Sequence, residues 1–341
     1  MQRDCQQGLM CVIKRLYLNS KIYIVIVNYK TADLVTQCLA SINKQNNALN
    51  GGKVIVVDNN SQDESVEKLS QYVQNNHFNT WVDILPMSRN GGFAYGCNAG
   101  IKHALTLDNR AGYVMLLNPD TLVRPNAIAS LSSFMDANPH VGIAGSQLEN
   151  SEGGIENSAH HFYCLMGEFL EGARLGLLSR LFSRYETTPA LKTGHFQCDW
   201  VSGASMMMRR QLIQDIGLLD EKFFLYFEEV DFFYRAAKAG WQTWYVPAAK
   251  VMHIEGAATG IKSAKRRPQY WYDSRRRYFI KHHGVLNLVC ADILWSLGRL
   301  SYVFRRLIKL GAQGANADPK FLTWDLLAGD AKAILTGKTA I

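Results

Sequence analysis

The sequence predicts an α/β fold: a mostly parallel central sheet flanked by helices, with a helical extension at its C-terminal end. Two observations carry this. Residues 22–27 and 54–57 are unbroken apolar, largely β-branched runs, and between them residues 33–43 place Leu34, Val35, Cys38, Leu39 and Ile42 on one face of a helix. Strands apolar along their whole length and joined by a helix are buried on both faces and run parallel.

Each element follows in order. The first run closes on Asn28-Tyr29 and the second on Asp58-Asn59-Asn60-Ser61. Ligands of such sheets bind at the carboxyl ends of the strands, which places Asn28, Tyr29 and Asp58 at a ligand. A helix then runs to about Val73, and residues 81–85 form a short third strand. The stretch from Arg89 to Gly100, with Asn90, Gly91, Gly92 and Asn98, opens a helix. It matches neither the dinucleotide nor the Walker pattern, so it reads equally as a phosphate or sugar cradle and as a glycine turn capping a helix. Residues 113–117 form a strand entering Asn118-Pro119-Asp120-Thr121. An aspartate there can hold a divalent cation or simply cap a helix. Asp199-Trp200, before Val201-Ser202-Gly203-Ala204, forms a wall of a substrate site, or in the case of Trp200 packs in the core.

Phe227-Glu228-Glu229-Val230-Asp231 puts three carboxylates within four positions at a helix start, on a chain of net charge +8. Such a cluster suits proton transfer or metal work, and acids in a first turn also stabilise the helix dipole. After a strand at 241–246 comes Val251-Met252-His253, where the histidine is either a ligand or a hydrogen-bonded structural residue.

The length of 341 residues and 48% hydrophobic content allow one large catalytic domain with ample core. Seven scattered cysteines without a CxxC pair indicate a reducing compartment, and the first 20 residues lack the apolar core of a signal peptide; both predict a cytoplasmic protein. Between 261 and 284 lie Lys262, Lys265, Arg266, Arg267, Arg275, Arg276, Arg277 and Lys281. No nucleic-acid-binding motif accompanies them, so no nucleic acid is expected as partner, and their first part is placed near a diphosphate as a mobile lid. Residues 286–310 read as a basic amphipathic helix with Trp295 and Tyr302, suited to an anionic membrane interface or to packing on the domain or on a second subunit in a homo-oligomer.

The series IVIVNYKT, VIVVDNNSQDES, RNGGFAYGCNAGI, YVMLLNPDT, DWVSGASMMMRR, FFLYFEEVDFFYRAAKAGW and VPAAKVMHIEGAATG resembles inverting glycosyltransferases of family 2 with the Rossmann-like GT-A fold, within them the rhamnosyltransferases. The resemblance divides the chain into an N-terminal segment 1–20, a GT-A domain 21–284 and a C-terminal extension 285–341. It implies that Asn28, Tyr29 and Asp58 line the nucleoside pocket, and that Asn90, Gly91 and Asn98 cradle donor phosphates or sugar. It also implies that Asp120, with Asn118 beside it, and His253 hold Mg²⁺ or Mn²⁺. Glu229 matches the general base, with Glu228 as runner-up; Trp200, Gly203 and Asp231 would face the acceptor, Asp231 otherwise pairing with a base. Asn118 stands where the family usually has its first aspartate, leaving the site one negative charge poorer.

The expected activity is transfer of L-rhamnose from dTDP-rhamnose to a hydroxyl of a lipid-linked cell-surface polysaccharide intermediate, at the inner face of the bacterial plasma membrane. Alternatives are another donor such as UDP-galactofuranose or a UDP-hexose, a nucleotidyltransferase making sugar nucleotides, and a non-catalytic glycan-assembly subunit.

Overall fold

The computed structural model describes residues 20–108, 111–254, 265–308 and 318–337. β1 (Lys21–Asn28) leads through α1 (Ala32–Asn43) to β2 (Val54–Asp58), then α2 (Ser65–Asn75), β3 (Val82–Pro86), α3 (Phe93–Leu107) and β4 (Ala111–Leu117). Next come β5 (Thr121–Val123), α4 (Ala127–Ala137), β6 (Val141–Glu149), the short β7 (Ile155–Glu156) and β8 (Ala159–His160), and α5 (Leu165–Ala173). The chain continues through β9 (Phe196–Cys198), β10 (Trp200–Val201), β11 (Ser205–Arg209), α6 (Arg210–Ile216), α7 (Glu228–Lys238) and β12 (Gln242–His253). Three helices close it: α8 (Gln269–His283), α9 (Val285–Leu307) and α10 (Leu322–Leu335).

The main sheet has the order β3-β2-β1-β4-β11-β6-β12-β5. β3, β2, β1 and β4 are mutually parallel, as the apolar runs predict, and β12 is parallel to β6. β11 is antiparallel between β4 and β6 because it starts at the site end of the sheet, Ser205 opposite Leu117, where β4 finishes. β1 shows why both faces are covered. Ile22, Ile24 and Ile26 join α1 and α2 in one core, while Tyr23, Val25 and Val27 join α3 in the other. Gly96 and Gly100 let α3 lie against β1, since a Cβ on either would run into the side chains of Val27 or Val25.

The C-terminal helices share this body. A Cβ at Gly172 of α5 would meet the carbonyl of Trp295, and one at Gly298 of α9 the carbonyl of Phe169, so α5 and α9 touch backbone to backbone. Arg275 of α8, buried, donates at 2.8 Å to both Asp292 of α9 and Glu168 of α5, and Arg276 donates to Asp330 of α10 at 2.6 Å. The second half of the basic stretch is therefore interior ion pairing; of the first part, expected as a lid, Arg266 donates to Asp325 of α10 at 2.7 Å and Arg267 lies over Trp271 of α8, while Lys262 and the segment 1–19 lie outside the described residues. Among the described residues no helix is long and apolar enough to cross a membrane.

Candidate active site

The site lies at the carboxyl ends of β1, β2 and β4. Asn28, fully buried at the end of β1, donates from Nδ2 to Asp58 Oδ1 (2.7 Å) at the end of β2. Ser61 closes the corner, its amide donating to Asp58 Oδ2 at 3.0 Å and its hydroxyl accepting from the Lys30 amide at 2.9 Å. Asp58 is thus held rigidly at the end of β2, and Tyr29, which follows Asn28, is exposed. The sequence did not single out Asn59, yet its Nδ2 donates to Asn90 Oδ1 (3.0 Å) and the Gly92 carbonyl (2.9 Å). Its buried Oδ1 has no hydrogen-bond partner among the described residues. The signal was there in the polar run closing β2.

Asn90 also accepts from the Gly92 amide (3.0 Å), and Gly92 takes φ +88 beside the carbonyl of Phe224, which leaves no room for a side chain. Gly91 is equally confined, a Cβ there running into the Tyr95 ring. Asn98 departs from its expected place at the donor. Buried inside α3, it donates to the Leu219 carbonyl and Glu221 Oε1 (both 2.9 Å) and accepts from the Leu219 amide (3.0 Å). Its amide fastens the loop 219–227 instead of facing a ligand.

That loop leads into the acid cluster, and two further ties hold it. The Phe93 amide donates to the Phe224 carbonyl (2.8 Å) and Ser274 Oγ to the Leu225 carbonyl (3.0 Å). Tyr226 and Phe227 both take left-handed conformations, φ 69 and 66, a strained pair that starts α7 and aims its first turn. Glu228 is buried and Glu229 half-buried. Burial pushes both carboxyls above their ordinary value, and the charge of Glu229 pushes Glu228 further, well above it. The two side chains interact with each other, the larger upward push falls on Glu228, and Oε2 of each has no hydrogen-bond partner among the described residues. Gly203 lies beside Glu229: a Cβ there would sit 3.8 Å from Glu229 Cγ, at ordinary contact distance.

Asp231 is placed otherwise than at an acceptor. It is fully buried and bonded to Arg235 Nε (2.9 Å), Lys281 Nζ (2.6 Å) and His282 Nε2 (2.8 Å). Burial alone would raise its carboxyl, but His282, Lys281 and Arg235 outweigh that and hold it below its ordinary value. It ties α7 to α8, the pairing alternative of the two the sequence left open. Trp200, stacked on His160 at 4.1 Å and donating to the His161 carbonyl (2.9 Å), is mostly core, with one edge toward Tyr163.

On the other side of the cleft, the Asn118 amide donates to the Ala204 carbonyl (2.9 Å), joining the end of β4 to the Gly203 turn. β5 pairs with the end of β12, Thr121 opposite His253, and this register brings His253 Nε2 to 3.4 Å from Asp120 Oδ1, both buried. One carboxylate and one imidazole at that separation fit a divalent cation of the manganese kind, with the rest of its coordination left to ligand oxygens and water. Among the described residues no group of three or more metal-ligating side chains forms. Any ion would therefore be held chiefly with its ligand.

Comparison with known proteins accords with this geometry. L-rhamnosyltransferases of Mycobacterium tuberculosis, named for N-acetylglucosaminyl-diphospho-decaprenol, are 28% identical over 218 residues, covering 61% of this chain and 68% of theirs. Rhamnosyltransferase WbbL of Escherichia coli is 21% identical over 68% of this chain and 83% of its own. Among solved structures, GalNAc-T7 with UDP, GalNAc and Mn²⁺ aligns at TM-score 0.55 and 14% identity over 88% of this chain; the chain spans only 60% of that protein's length. The mannosyltransferase PcManGT of Pyrobaculum calidifontis, with GDP-Man and Mn²⁺, aligns at 0.52 and 14% identity over 98% of this chain and 89% of its own. These likenesses give the GT-A fold. The family model described as glycosyl transferase family 2 matches residues 23–217, ending just before the loop that carries the acid cluster. With more than half the chain matched, this protein belongs to glycosyltransferase family 2 and is a glycosyltransferase.

Proposed function

We propose that the protein transfers L-rhamnose from dTDP-rhamnose, with inversion, to a hydroxyl of a lipid-linked glycan. The observation that carries the chemistry is Glu229: a half-buried carboxyl beside the Gly203 turn, next to Glu228, whose own carboxyl is pushed further above its ordinary value. A hydroxyl attacks an anomeric carbon poorly until its proton is removed as the bond forms, and Glu229 is the group placed to take it. The new C–O bond forms as the bond to the diphosphate breaks on the opposite face. Asn59 Oδ1 offers a buried acceptor for a nucleoside hydroxyl or imino proton next to Asp58. Asp120 and His253 would hold Mg²⁺ or Mn²⁺, which would neutralise charge on the leaving diphosphate. The rhamnosyl and lipid-diphosphate parts of the reading rest on the names of the mycobacterial relatives.

A lipid-linked acceptor would call for a membrane-facing surface, and the exposed apolar face of α9 supports that reading. Leu286, Ile293, Leu297, Leu300, Phe304 and Leu307 are exposed along one face, joined by Phe321 and Trp324 at α10. Arg306, between Phe304 and Leu307 in sequence, and Lys320, just before Phe321, are exposed on a chain of net charge +8. We assign it to an anionic membrane surface, holding the enzyme peripherally where lipid-linked acceptors are. A thermal-shift panel of dTDP, UDP and GDP sugars with Mn²⁺ or Mg²⁺ tests the donor. Saturating dTDP-rhamnose at 100 times its Kd should stabilise by about 2.7 kcal/mol. A response to none of the three nucleotides overturns the reading, and a response to UDP alone moves it to a UDP-sugar.

A further inference from the structure

A partly open pocket lies away from the donor strands, between α5, α8, α9 and α10. It is a cavity of about 160 Å³ lined by Tyr163, Glu168, Glu171, Arg267, Trp271 and Trp295, with Leu322 and Leu326 closing one side. That is below the roughly 300–1,000 Å³ of pockets for drug-sized ligands, which suits a single small ring and not a nucleotide.

The lining decides the chemistry. Two indoles and a phenol supply apolar faces for the C–H side of a ring. Arg267 lies flat on Trp271, its carbon 4.1 Å from the ring centre, and its buried Nε has no hydrogen-bond partner among the described residues. Arg275 gives no free positive charge, because Glu168, Asp292 and Asp330 surround its guanidinium. Glu171 adds an exposed carboxylate at the rim. With acids at least balancing bases, the space does not attract phosphate or carboxylate; it offers donors and acceptors to the hydroxyls of a neutral molecule.

Its position connects it to the reaction. Tyr163 lines the cavity and also packs 5.0 Å from Phe227, the residue that opens the turn carrying Glu228 and Glu229, and 6.4 Å from Trp200. The charge of Glu229 is close enough to push the Tyr163 phenol upward, after burial and the charges of Glu171 and Glu168.

We propose that this cavity binds one neutral sugar ring through stacking on Trp271 and Trp295 and hydrogen bonds to Arg267 and Glu171. On the reading of Glu229 as general base, that ring belongs to the acceptor and lies next to the sugar whose hydroxyl is glycosylated.

The test is saturation-transfer NMR on the full chain without nucleotide, with methyl α-L-rhamnopyranoside, methyl α-D-glucopyranoside, methyl α-D-galactopyranoside and N-acetyl-D-glucosamine as probes. At least one should receive saturation. Leu322→Trp, which fills the space, and Arg267→Met, which removes the donor without opening the core, should each weaken that probe by roughly tenfold or more. The thermal response to nucleotide sugars should be unchanged in both. Silence from all four probes, or undiminished transfer in Arg267→Met and in any Leu322→Trp protein that melts cooperatively, overturns the proposal. Loss of the nucleotide response in the wild type, with glycoside binding intact, would remove the donor reading and leave the cavity assignment standing.

Discussion

Exchange of the two adjacent glutamates separates their roles. Glu229→Gln keeps shape and donor contacts but removes the base. No second carboxylate replaces it, because Glu228 is buried with its carboxyl pushed further above its ordinary value than that of Glu229, which favours its neutral form, and Asp231 is locked to Arg235, Lys281 and His282. General-base catalysis is worth about 10²–10⁴ in rate, and with no substitute in reach the loss falls in the upper part, about 10³–10⁴ or roughly 4–5.4 kcal/mol of barrier. Glu228→Gln is different. A glutamine amide can still donate to the ionised Glu229, so one charge-assisted hydrogen bond, worth about 1.5–3 kcal/mol, is at most weakened, by about 0.5–1.5 kcal/mol or up to roughly tenfold. The assay is initial rate of nucleoside diphosphate release across pH, with donor affinity measured separately by thermal shift. Because burial raises the Glu229 carboxyl, the wild-type rate should fall on acidification at a higher pH than an ordinary carboxylate would give. Near-normal turnover by Glu229→Gln, or a larger loss in Glu228→Gln than in Glu229→Gln, refutes the assignment.

The same pair affects stability with a definite sign. A folded-state carboxyl raised above its unfolded value of 4.5 favours folding below that pH and loses this as pH rises through the raised value; Glu228→Gln should therefore raise the melting temperature at pH 7–8, with the gain vanishing near pH 4. Asp120→Ala and His253→Ala should each weaken Mn²⁺-dependent donor binding, and calorimetric titration of the double variant should show less than the sum, since 3.4 Å separates groups meant for one ion; strict additivity would separate them. Asp231→Ala leaves Lys281 and His282 facing an emptied buried position and should cost about 3–5 kcal/mol in urea unfolding. Replacing Leu300, Phe304 and Leu307 by Ser should abolish flotation with anionic liposomes, each apolar group withdrawn from lipid being worth up to about 1.5–3 kcal/mol, while melting stays within a degree or two; equal flotation would assign the stripe to a protein contact.

What the sequence made legible is local. The apolar runs of β1 and β2 and the acid cluster at the start of α7 each declare themselves within a dozen residues. Asp120 and His253 were paired by resemblance, and the β5–β12 register supplies the physical reason. Contacts closed over long separations were not legible. Asp231 meets His282 across 51 positions, Asn98 meets Leu219 across 121, and Arg275 meets Glu168 across 107. A carboxylate bound for a buried ion pair and one bound for a substrate look alike in a sequence. β12 shows a related failure. The sequence suggests a strand at 241–246 and a separate one at 251–253, whereas one strand runs from Gln242 to His253 with its register shifted between Val246 and Lys250. Pro247, which has no amide hydrogen, falls at that irregularity, where a missing donor interrupts the ladder without ending it.

The central claim, single displacement at the anomeric carbon driven by Glu229, is tested most directly by proton NMR of the products formed from dTDP-rhamnose, Mn²⁺ and a lipid-linked or glycoside acceptor. The account predicts dTDP and glycoside in equal amounts, the new glycosidic bond having the anomeric configuration opposite to the donor's, with neither product formed by Glu229→Gln. A product that retains the donor configuration, or release of nucleoside monophosphate in place of diphosphate, would contradict it.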